Sequence, residues 1–454
     1  MKTYFVGIGG SGVSSLAWLC LDRGWEVEGS DKSPSQAVER LMHAGARIHL
    51  GHSEQNLEAA DRFVHTTAVN GTNPELNKAK AMGMTIQSRA EFLADLFREK
   101  AHRVAVTGSH GKTTTSGLIA YGLMTMGLDP AAIVGGDLVN WDRGGRWGNG
   151  DVFVAEADES RDSFLLLSPT ILVITNLDAD HLDFYRDLNH LTDTLKSFTQ
   201  RPISEALWIS ADDPNLHALI EESIARGLPI RTFGISATAM LRGEITHQTA
   251  EETTFRVSWN GEPIGEYTLH LPGDYNVRNA LAAIGVFMAL DTPRDPWPHV
   301  ISTYKGINRR FQKLGEWNNI LFYSDYAHHP TEIQSLLSAA RRFNRRVVAV
   351  FQPHRYSRTQ HLGKELGLSL ISADVVIVTD LFTACEKPIP GVSSESVAVA
   401  ARSKKPQCVH FVNSKDDLFV LLDEVLMPGD IALFIGAGDI HQWGVEFAAR
   451  CGKP

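Results

Sequence analysis

The chain has 454 residues, 43% of them hydrophobic, and a formal net charge of −10. That length and apolar content predict about three domains with full-sized cores. The acidic balance argues against a nucleic-acid partner, whose footprint would be a basic face, yet anionic ligands can still be held by local loops and single basic side chains.

Residues 1–99 read as one α/β unit. Thr3–Ile8 is a buried strand that runs into Gly7-Ile8-Gly9-Gly10-Ser11-Gly12, a GxGxxG turn, and then a helix from Val13 to Asp22. The next strand, Glu26–Gly29, leads to Asp31, about 20 residues past the glycines. Strand, glycines, helix and acid in that order form a dinucleotide-binding fingerprint with Asp31 as its ribose-binding acid. A nicotinamide cofactor or another diphosphate, such as a nucleotide sugar, would satisfy it. Arg62–Thr66 and Thr85–Gln87 read as further strands.

Residues 100–296 are organised around Val104-Ala105-Val106-Thr107-Gly108-Ser109-His110-Gly111-Lys112-Thr113-Thr114-Thr115. A short apolar run ends in glycines and Lys-Thr, and a helix follows through Met126. Such a strand, loop and helix cradle phosphate: backbone N–H groups and the positive end of the helix dipole face the anion. Lys112 is placed on the β- and γ-phosphates, and the Thr113 hydroxyl on Mg²⁺. Val106 stands where the full GxxxxGK pattern has its first glycine, so the loop is GxxGKT. A glycine-rich stretch, 135–150, carries Trp141 and Trp147 and reads either as a mobile substrate loop or as a connection. Asp151–Ala155 and Thr170–Thr175 are strands that end in Glu156-Ala157-Asp158-Glu159 and in Asn176-Leu177-Asp178-Ala179-Asp180-His181-Leu182-Asp183. Ligands of a parallel sheet bind beyond the carboxyl ends of its strands, so both acidic clusters are expected beside the phosphate loop. Hard cations take oxygen ligands together with substrate phosphates, which makes Mg²⁺ ligation the functional reading, with His181 a candidate ligand. Residues 238–271 read as an antiparallel ribbon turning at Asn260-Gly261, and Gly273 opens an Ala-rich helix.

Residues 297–454 read as a third α/β domain. Ile320–Tyr323 precedes Ser324-Asp325-Tyr326-Ala327-His328-His329-Pro330, and Val347–Phe351 precedes Gln352-Pro353-His354-Arg355-Tyr356-Ser357-Arg358. Asp374–Thr379 and Asp430–Ile435 are further strands. The run Arg341, Arg342, Arg345, Arg346 reads as a solvated helix end. Cys20, Cys385, Cys408 and Cys451 form no CxxC pair and no metal spacing, so they are expected as small buried apolar residues in a reducing compartment. Thr3–Ile8 reads as a strand rather than a signal segment, and no apolar run approaches a membrane span. A cytoplasmic protein is expected.

The segments GIGGSGVSSLA, HTTAVNGTNPE, SRAEFL, GSHGKTTT, EADES, TNLDADHLD, GDYNVRNA, GINRRF, SDYAHHPTE, FQPHRYSRT and PIPG, in this order, resemble the Mur ligases over essentially the whole chain. The resemblance implies an α/β protein of three domains: a Rossmann-like UDP-binding domain over 1–99, a central P-loop ATPase-type domain over 100–296, and a Rossmann-like C-terminal domain over 297–454. It implies an ATP-dependent ligase that joins L-alanine to the carboxylate of UDP-N-acetylmuramate through an acyl phosphate, acts in peptidoglycan precursor synthesis, uses Mg²⁺, and is a monomer or homodimer. By the same resemblance, Gly9, Gly10, Ser11, Gly12 and Asp31 face the UDP sugar. Gly108, Ser109, His110, Gly111, Lys112, Thr113 and Thr114 hold the ATP phosphates. Thr113, Glu156 and His181 hold the metal, and Asn176, Asn276, Asn279, Arg310 and Asp325 line the ATP site. Tyr326, His328, His354, Arg355 and Arg358 close over substrate and amino acid, with Lys112, His181, His328, Arg355 and Arg358 the expected catalytic set.

The sequence departs from the family at Tyr275, where His is usual, at Ala327, where Gly is usual, and at Val13, where Met is common. Lys196, fifteen residues after His181, reads as a surface helix lysine rather than the carbamylated metal-bridging lysine of other family members. The alternatives are a ligase that attaches a recycled tripeptide to the same UDP sugar, a UDP-sugar binding protein gated by nucleotide, and an NAD-dependent oxidoreductase built on the first fingerprint.

Overall fold

A computed structural model describes residues 1–66, 69, 71–179 and 184–452. Its N-terminal sheet contains β1 (Lys2–Val6), β2 (Glu26–Asp31), β3 (Arg47–Leu50), β4 (Arg62–His65) and β5 (Thr85–Ser88) in the parallel order β3-β2-β1-β4-β5. Tyr4, Phe5 and Val6 are fully buried, as expected of a central strand covered by helices on both faces. The chain reverses direction across the sheet at β1, so the glycine turn sits at the topological switch point, where α/β sheets bind ligands.

The central sheet contains β6 (His102–Thr107), β7 (Ala131–Leu138), β8 (Arg143–Arg146), β9 (Val152–Glu156), β10 (Ile171–Ile174), β11 (Ala206–Ser210), β12 (Ile230–Gly234), β13 (Leu241–Gln248), β14 (Thr253–Trp259) and β15 (Glu262–Leu269). Their order is β15-β14-β13-β12-β11-β10-β6-β9-β7-β8. β6 lies between β10 and β9, parallel to both, so the loop after β6 and the acids after β9 and β10 share one edge. Asn260 (φ 49°) and Gly261 (φ 87°) turn β14 into β15; two successive residues at positive φ match the twist of a two-residue hairpin. The helices Lys112–Thr125 and Asp274–Ala289 pack so closely that a Cβ on Gly122 would stand 2.4 Å from the Phe287 ring. Trp297, Val300, Ile301, Tyr304 and Ile307 are buried in this same core, so the packing of the central unit continues past residue 296.

The C-terminal sheet contains β16 (Gln312–Trp317), β17 (Ile320–Asp325), β18 (Val347–Phe351), β19 (Val375–Val378), β20 (Val409–Phe411) and β21 (Ile431–Ile435), ordered β16-β17-β21-β18-β19-β20. Among the described residues, no helix is long and apolar enough to cross a membrane.

Three sequence readings change or resolve here. The glycine-rich stretch is the hairpin β7–β8, and it docks the N-terminal domain. Asp22 accepts hydrogen bonds from Arg143 Nη1 and Trp147 N–H, each at 2.9 Å, and Arg40 pairs with Asp137. A Cβ on Gly145 would come within 2.1 Å of the Ser15 carbonyl oxygen, so glycine is there for the close approach. The four arginines stay at least partly exposed, but each also has an acceptor. Arg341 pairs with Asp374, Arg346 with Asp430, Arg345 Nη1 donates to the Asn319 carbonyl, and Arg342 reaches Asp274 and Gln248 in the central domain. Planar forks of this kind find fixed acceptors wherever strand ends and loops expose them. Among the cysteines, Cys20 is buried, and burial pushes its thiol up to about 12, whereas Cys385 is exposed.

Candidate active site

The phosphate loop forms because β6 is buried on both faces and the helix Lys112–Thr125 begins directly after it. Gly111 caps that helix at φ 81° with no side-chain cap, and the first turn carries no acid. The helix N–H groups are therefore available to an anion. A Cβ on Gly108 would stand 2.3 Å from Thr175 Oγ1, and one on Gly111 2.6 Å from Asn279 Oδ1. Asn176 shapes the loop rather than opening it: its Oδ1 accepts from His110 N at 2.8 Å, and its Nδ2 donates to the His110 carbonyl at 2.8 Å. Ser109 N donates to the Asn176 carbonyl at 3.1 Å.

Lys112 Nζ donates to the Gly108 carbonyl at 2.6 Å and to Glu159 Oε1 at 3.0 Å. Burial by itself would lower its pKa, but the carboxylates of Glu159, Asp158 and Glu156 outweigh burial and hold the ammonium charged. Thr113 Oγ1 donates to Glu156 Oε1 at 3.1 Å, and Gly135 N donates to Glu156 Oε2 at 2.7 Å. Burial pushes the Glu156 carboxyl above its ordinary range. A hydroxyl beside a desolvated carboxylate suits a hard divalent cation, whose charge would relieve that burial. His181, expected as a third ligand, lies outside the described residues. Lys196 sits on the helix Leu188–Thr199 and faces Glu222 at 3.4 Å.

A cavity of about 450 Å³ opens between the central and C-terminal domains. It brings together His110, Gly111, Thr113, Thr114, Asn176, Asn276, Asn279, Arg310 and Asp325 from the expected set. Asn279 Oδ1 accepts from Thr115 Oγ1 at 3.1 Å and its Nδ2 donates to Asn276 Oδ1 at 3.2 Å, a buried pair that fixes the helix Asp274–Ala289 against the loop. Asp325 ends β17 and accepts from Phe311 N and Ala327 N, both at 2.7 Å. Burial nonetheless pushes its carboxyl up to about 6, against the Arg310 charge and these two hydrogen bonds. Tyr275, the departure from the family His, also lines the cavity, and burial raises its phenol.

The cavity has walls that sequence reading missed. Arg278 Nε donates to Asp212 Oδ2 at 2.6 Å, and Leu177 N to Asp213 Oδ2 at 2.6 Å. Both acids follow β11, the next strand along the sheet. The strand-end rule applied to β6, β9 and β10 would have found them if extended by one strand. The joint with the C-terminal domain was also missed. His110 Nε2 lies 3.0 Å from Asp178 Oδ2, and Thr331 Oγ1 donates to the same oxygen at 2.6 Å. The His110 and His329 rings stand 5.0 Å apart.

The remaining expected residues fall in two other groups. In the C-terminal domain, His328 Nδ1 lies 2.9 Å from the Tyr326 carbonyl oxygen, and its ring stands 6.1 Å from that of His354. His354 stacks on Phe382 at 5.6 Å, and Arg358 Nη1 lies 3.4 Å from His354 Nδ1. Burial, then His328, Arg358 and Arg355, push His354 down to about 3, so it is neutral near pH 7. Arg355 caps the helix Tyr356–Ser369 at φ 70°. In the N-terminal domain, the helix Ser11–Asp22 also lacks a side-chain cap at Gly10. Asp31 Oδ2 accepts from Gly9 N at 2.8 Å, bracing the turn from within. A Cβ on Gly12 would meet Arg89 at 3.0 Å, so a cation borders the glycines that the fingerprint alone did not signal.

Residues 2–101 match the model described as Mur ligase family, catalytic domain; residues 106–287 match the Mur ligase middle domain, and residues 309–438 the Mur ligase, glutamate ligase domain. A UDP-N-acetylmuramate–L-alanine ligase of Trichlorobacter lovleyi is 41% identical over 99% of this chain and 98% of its own. Among solved structures, the UDP-N-acetylmuramate–alanine ligase of Thermotoga maritima superposes with a TM-score of 0.84 at 29% identity, covering 99% of each chain. A murein peptide ligase of Psychrobacter arcticus shares the fold at a TM-score of 0.74 and 24% identity, covering 100% of this chain and 99% of its own.

Proposed function

The chain belongs to the Mur ligase family, and we propose that it is the ATP-dependent ligase that joins L-alanine to the carboxylate of UDP-N-acetylmuramate. The observation that carries the reading is the cavity between the central and C-terminal domains. It is lined by His110, Gly111, Thr113 and Thr114 of the phosphate loop and its helix and by Arg310 and Asp325, and the chain is 41% identical over 99% of its length to a relative bearing that name. ATP lies with its phosphates on the N–H groups at the start of the helix Lys112–Thr125 and on Lys112. The muramate carboxylate attacks the γ-phosphorus, ADP leaves, and an acyl phosphate forms. The alanine amine then attacks the acyl carbon to form the C–N bond and gives up a proton, and the acyl C–O bond breaks as inorganic phosphate leaves with that oxygen. Lys112 neutralises charge that builds on the transferred phosphoryl group. Thr113 and Glu156, with His181, are the residues that would hold Mg²⁺, which when bound neutralises phosphate oxygens.

Arg355 and Arg358 suit the alanine carboxylate, since a guanidinium fork grips a carboxylate with two hydrogen bonds. His354, kept neutral beside them, leaves that charge balance undisturbed. The uncapped turn at Gly10 and Arg89 face the UDP pyrophosphate. Both nucleotide substrates place the reaction in the cytoplasm.

The test is a product assay. With ATP, Mg²⁺, UDP-N-acetylmuramate and L-alanine, the expected mass is that of the UDP sugar plus one alanine residue, with one ADP and one inorganic phosphate released per amide. A product formed only when a tripeptide is offered would overturn the alanine reading. Tight NAD binding without ATP turnover would overturn the ligase reading.

A further inference from the structure

Two donor sets of different chemistry each contribute residues to the lining of the cavity, Thr113 from one and His110 and Asp178 from the other. Thr113 and Glu156 offer hydroxyl and carboxylate oxygens, which suit a hard cation. His110, Asp178 and His329 form the second set, and their ligand atoms all lie within 4.8 Å of one another. We propose that these three residues form a binding site for a borderline divalent transition cation of the zinc type, set across the joint between the central and C-terminal domains. The proposal does not depend on which acid and amine the enzyme joins.

Geometry supports it first. Asp178 Oδ2 lies 3.0 Å from His110 Nε2 and 3.5 Å from His329 Nδ1. A tetrahedral cation at ~2.0–2.1 Å from its ligands needs those ligands about 3.3 Å apart, and the two separations straddle that value. The imidazole planes are tilted by 39°, so both ring edges can address one carboxylate. Two imidazole nitrogens and one carboxylate oxygen favour zinc or cobalt over magnesium, which prefers an all-oxygen octahedron.

The surroundings supply the support such ligands need. His110 Nδ1 faces Glu332 Oε1 at 3.5 Å. A ligating imidazole gives its second N–H to a carboxylate or carbonyl, which fixes its tautomer and orientation. Asp178 is oriented by Ala179 N on Oδ1 at 2.8 Å and by Thr331 Oγ1 on Oδ2 at 2.6 Å. His329 is only 4% exposed, so part of the site is already dry. The ligands come from the phosphate loop, the loop that follows β10 and the cap of the helix Pro330–Arg341. A bound cation would therefore hold the C-terminal domain against the phosphate loop.

The test uses the full-length untagged protein with excess Mg²⁺, which occupies the oxygen site. Co²⁺ is titrated by visible absorption and Zn²⁺ by calorimetry. The expected result is one equivalent of Co²⁺ with the intense bands of tetrahedral coordination. Both cations should bind more than tenfold more weakly to His329→Gln, and about tenfold more weakly to Glu332→Gln, which loses the carboxylate behind His110. Should His329→Gln fail to fold by circular dichroism, Asp178→Asn carries the same expectation. Absence of a tetrahedral Co²⁺ spectrum, or equal affinity in wild type and a folded variant, would overturn the proposal and leave the three groups as a hydrogen-bonded latch.

Discussion

Lys112 shows how much a single side chain does in this molecule. It is the charge proposed to meet phosphate, and it pairs with Glu159, whose side chain is 4% exposed. Lys112→Ala is expected to abolish ligation while leaving UDP-sugar binding intact, because the uncapped Gly10 turn lies on another domain. It should also lower stability, since it removes the ammonium that pairs with the buried Glu159 carboxylate. Turnover assays, calorimetry with the UDP sugar and urea midpoints read the three effects separately; near-normal turnover would remove the phosphate-loop assignment. His354 gives a pH signature. Its folded imidazole titrates near 3, against 6.5 in the unfolded chain, so between those values the folded state binds fewer protons. Stability must then fall as pH drops through 6.5 toward 3. At pH 5 this one group accounts for about 2 kcal/mol. In His354→Gln, the stability change between pH 7 and pH 5 should be smaller than in wild type by about that amount; identical pH profiles would refute it.

At the scale of elements, the hairpin β7–β8 is the part whose role the residues did not reveal. Glycines read from sequence signal a turn or a loop. Here Gly145 exists because the backbone of the helix Ser11–Asp22 passes over it, and that helix is more than a hundred residues away. Gly145→Ala should destabilise the contact by about 1–3 kcal/mol, the usual cost of forcing volume into a packed contact. Limited proteolysis should then cut between the first two domains sooner than in wild type, and unchanged cleavage would show that the contact yields cheaply. By contrast, β6, β9 and β10 were legible as strands because each is a short apolar run closed by polar residues. The acceptors of the arginines at and after the end of the helix Pro330–Arg341 were not legible, because composition cannot say what a distant strand or domain will present.

For the whole molecule, the cavity proposed to hold ATP is shared between two domains, so its shape depends on how they are held. Arg342 ties the end of the helix Pro330–Arg341 to Asp274 at 3.0 Å, while Thr331 ties its start to Asp178. Arg342 is partly exposed, and such pairs contribute about 0.2–1 kcal/mol. Arg342→Ala is therefore expected to raise the KM for ATP about two- to fivefold, with small-angle scattering showing a more extended particle. An unchanged scattering profile would show that the remaining contacts hold the joint by themselves.

The sequence by itself determined the local chemistry of this protein. Strand, glycines, Lys112-Thr113 and helix are contiguous, so their geometry follows from neighbouring residues, and the strand-end rule carried Glu156 to the same edge. The family resemblance added Asn276, Asn279, Arg310 and Asp325, which the cavity brings together with the loop. Only the tertiary structure decided what crosses between domains: Asp178 against His110, His329 and Thr331, Arg342 against Asp274, and the hairpin against Ser15. Those contacts join residues tens to hundreds of positions apart, and what selects them is the shape left when each domain has buried its own core, which no local pattern records.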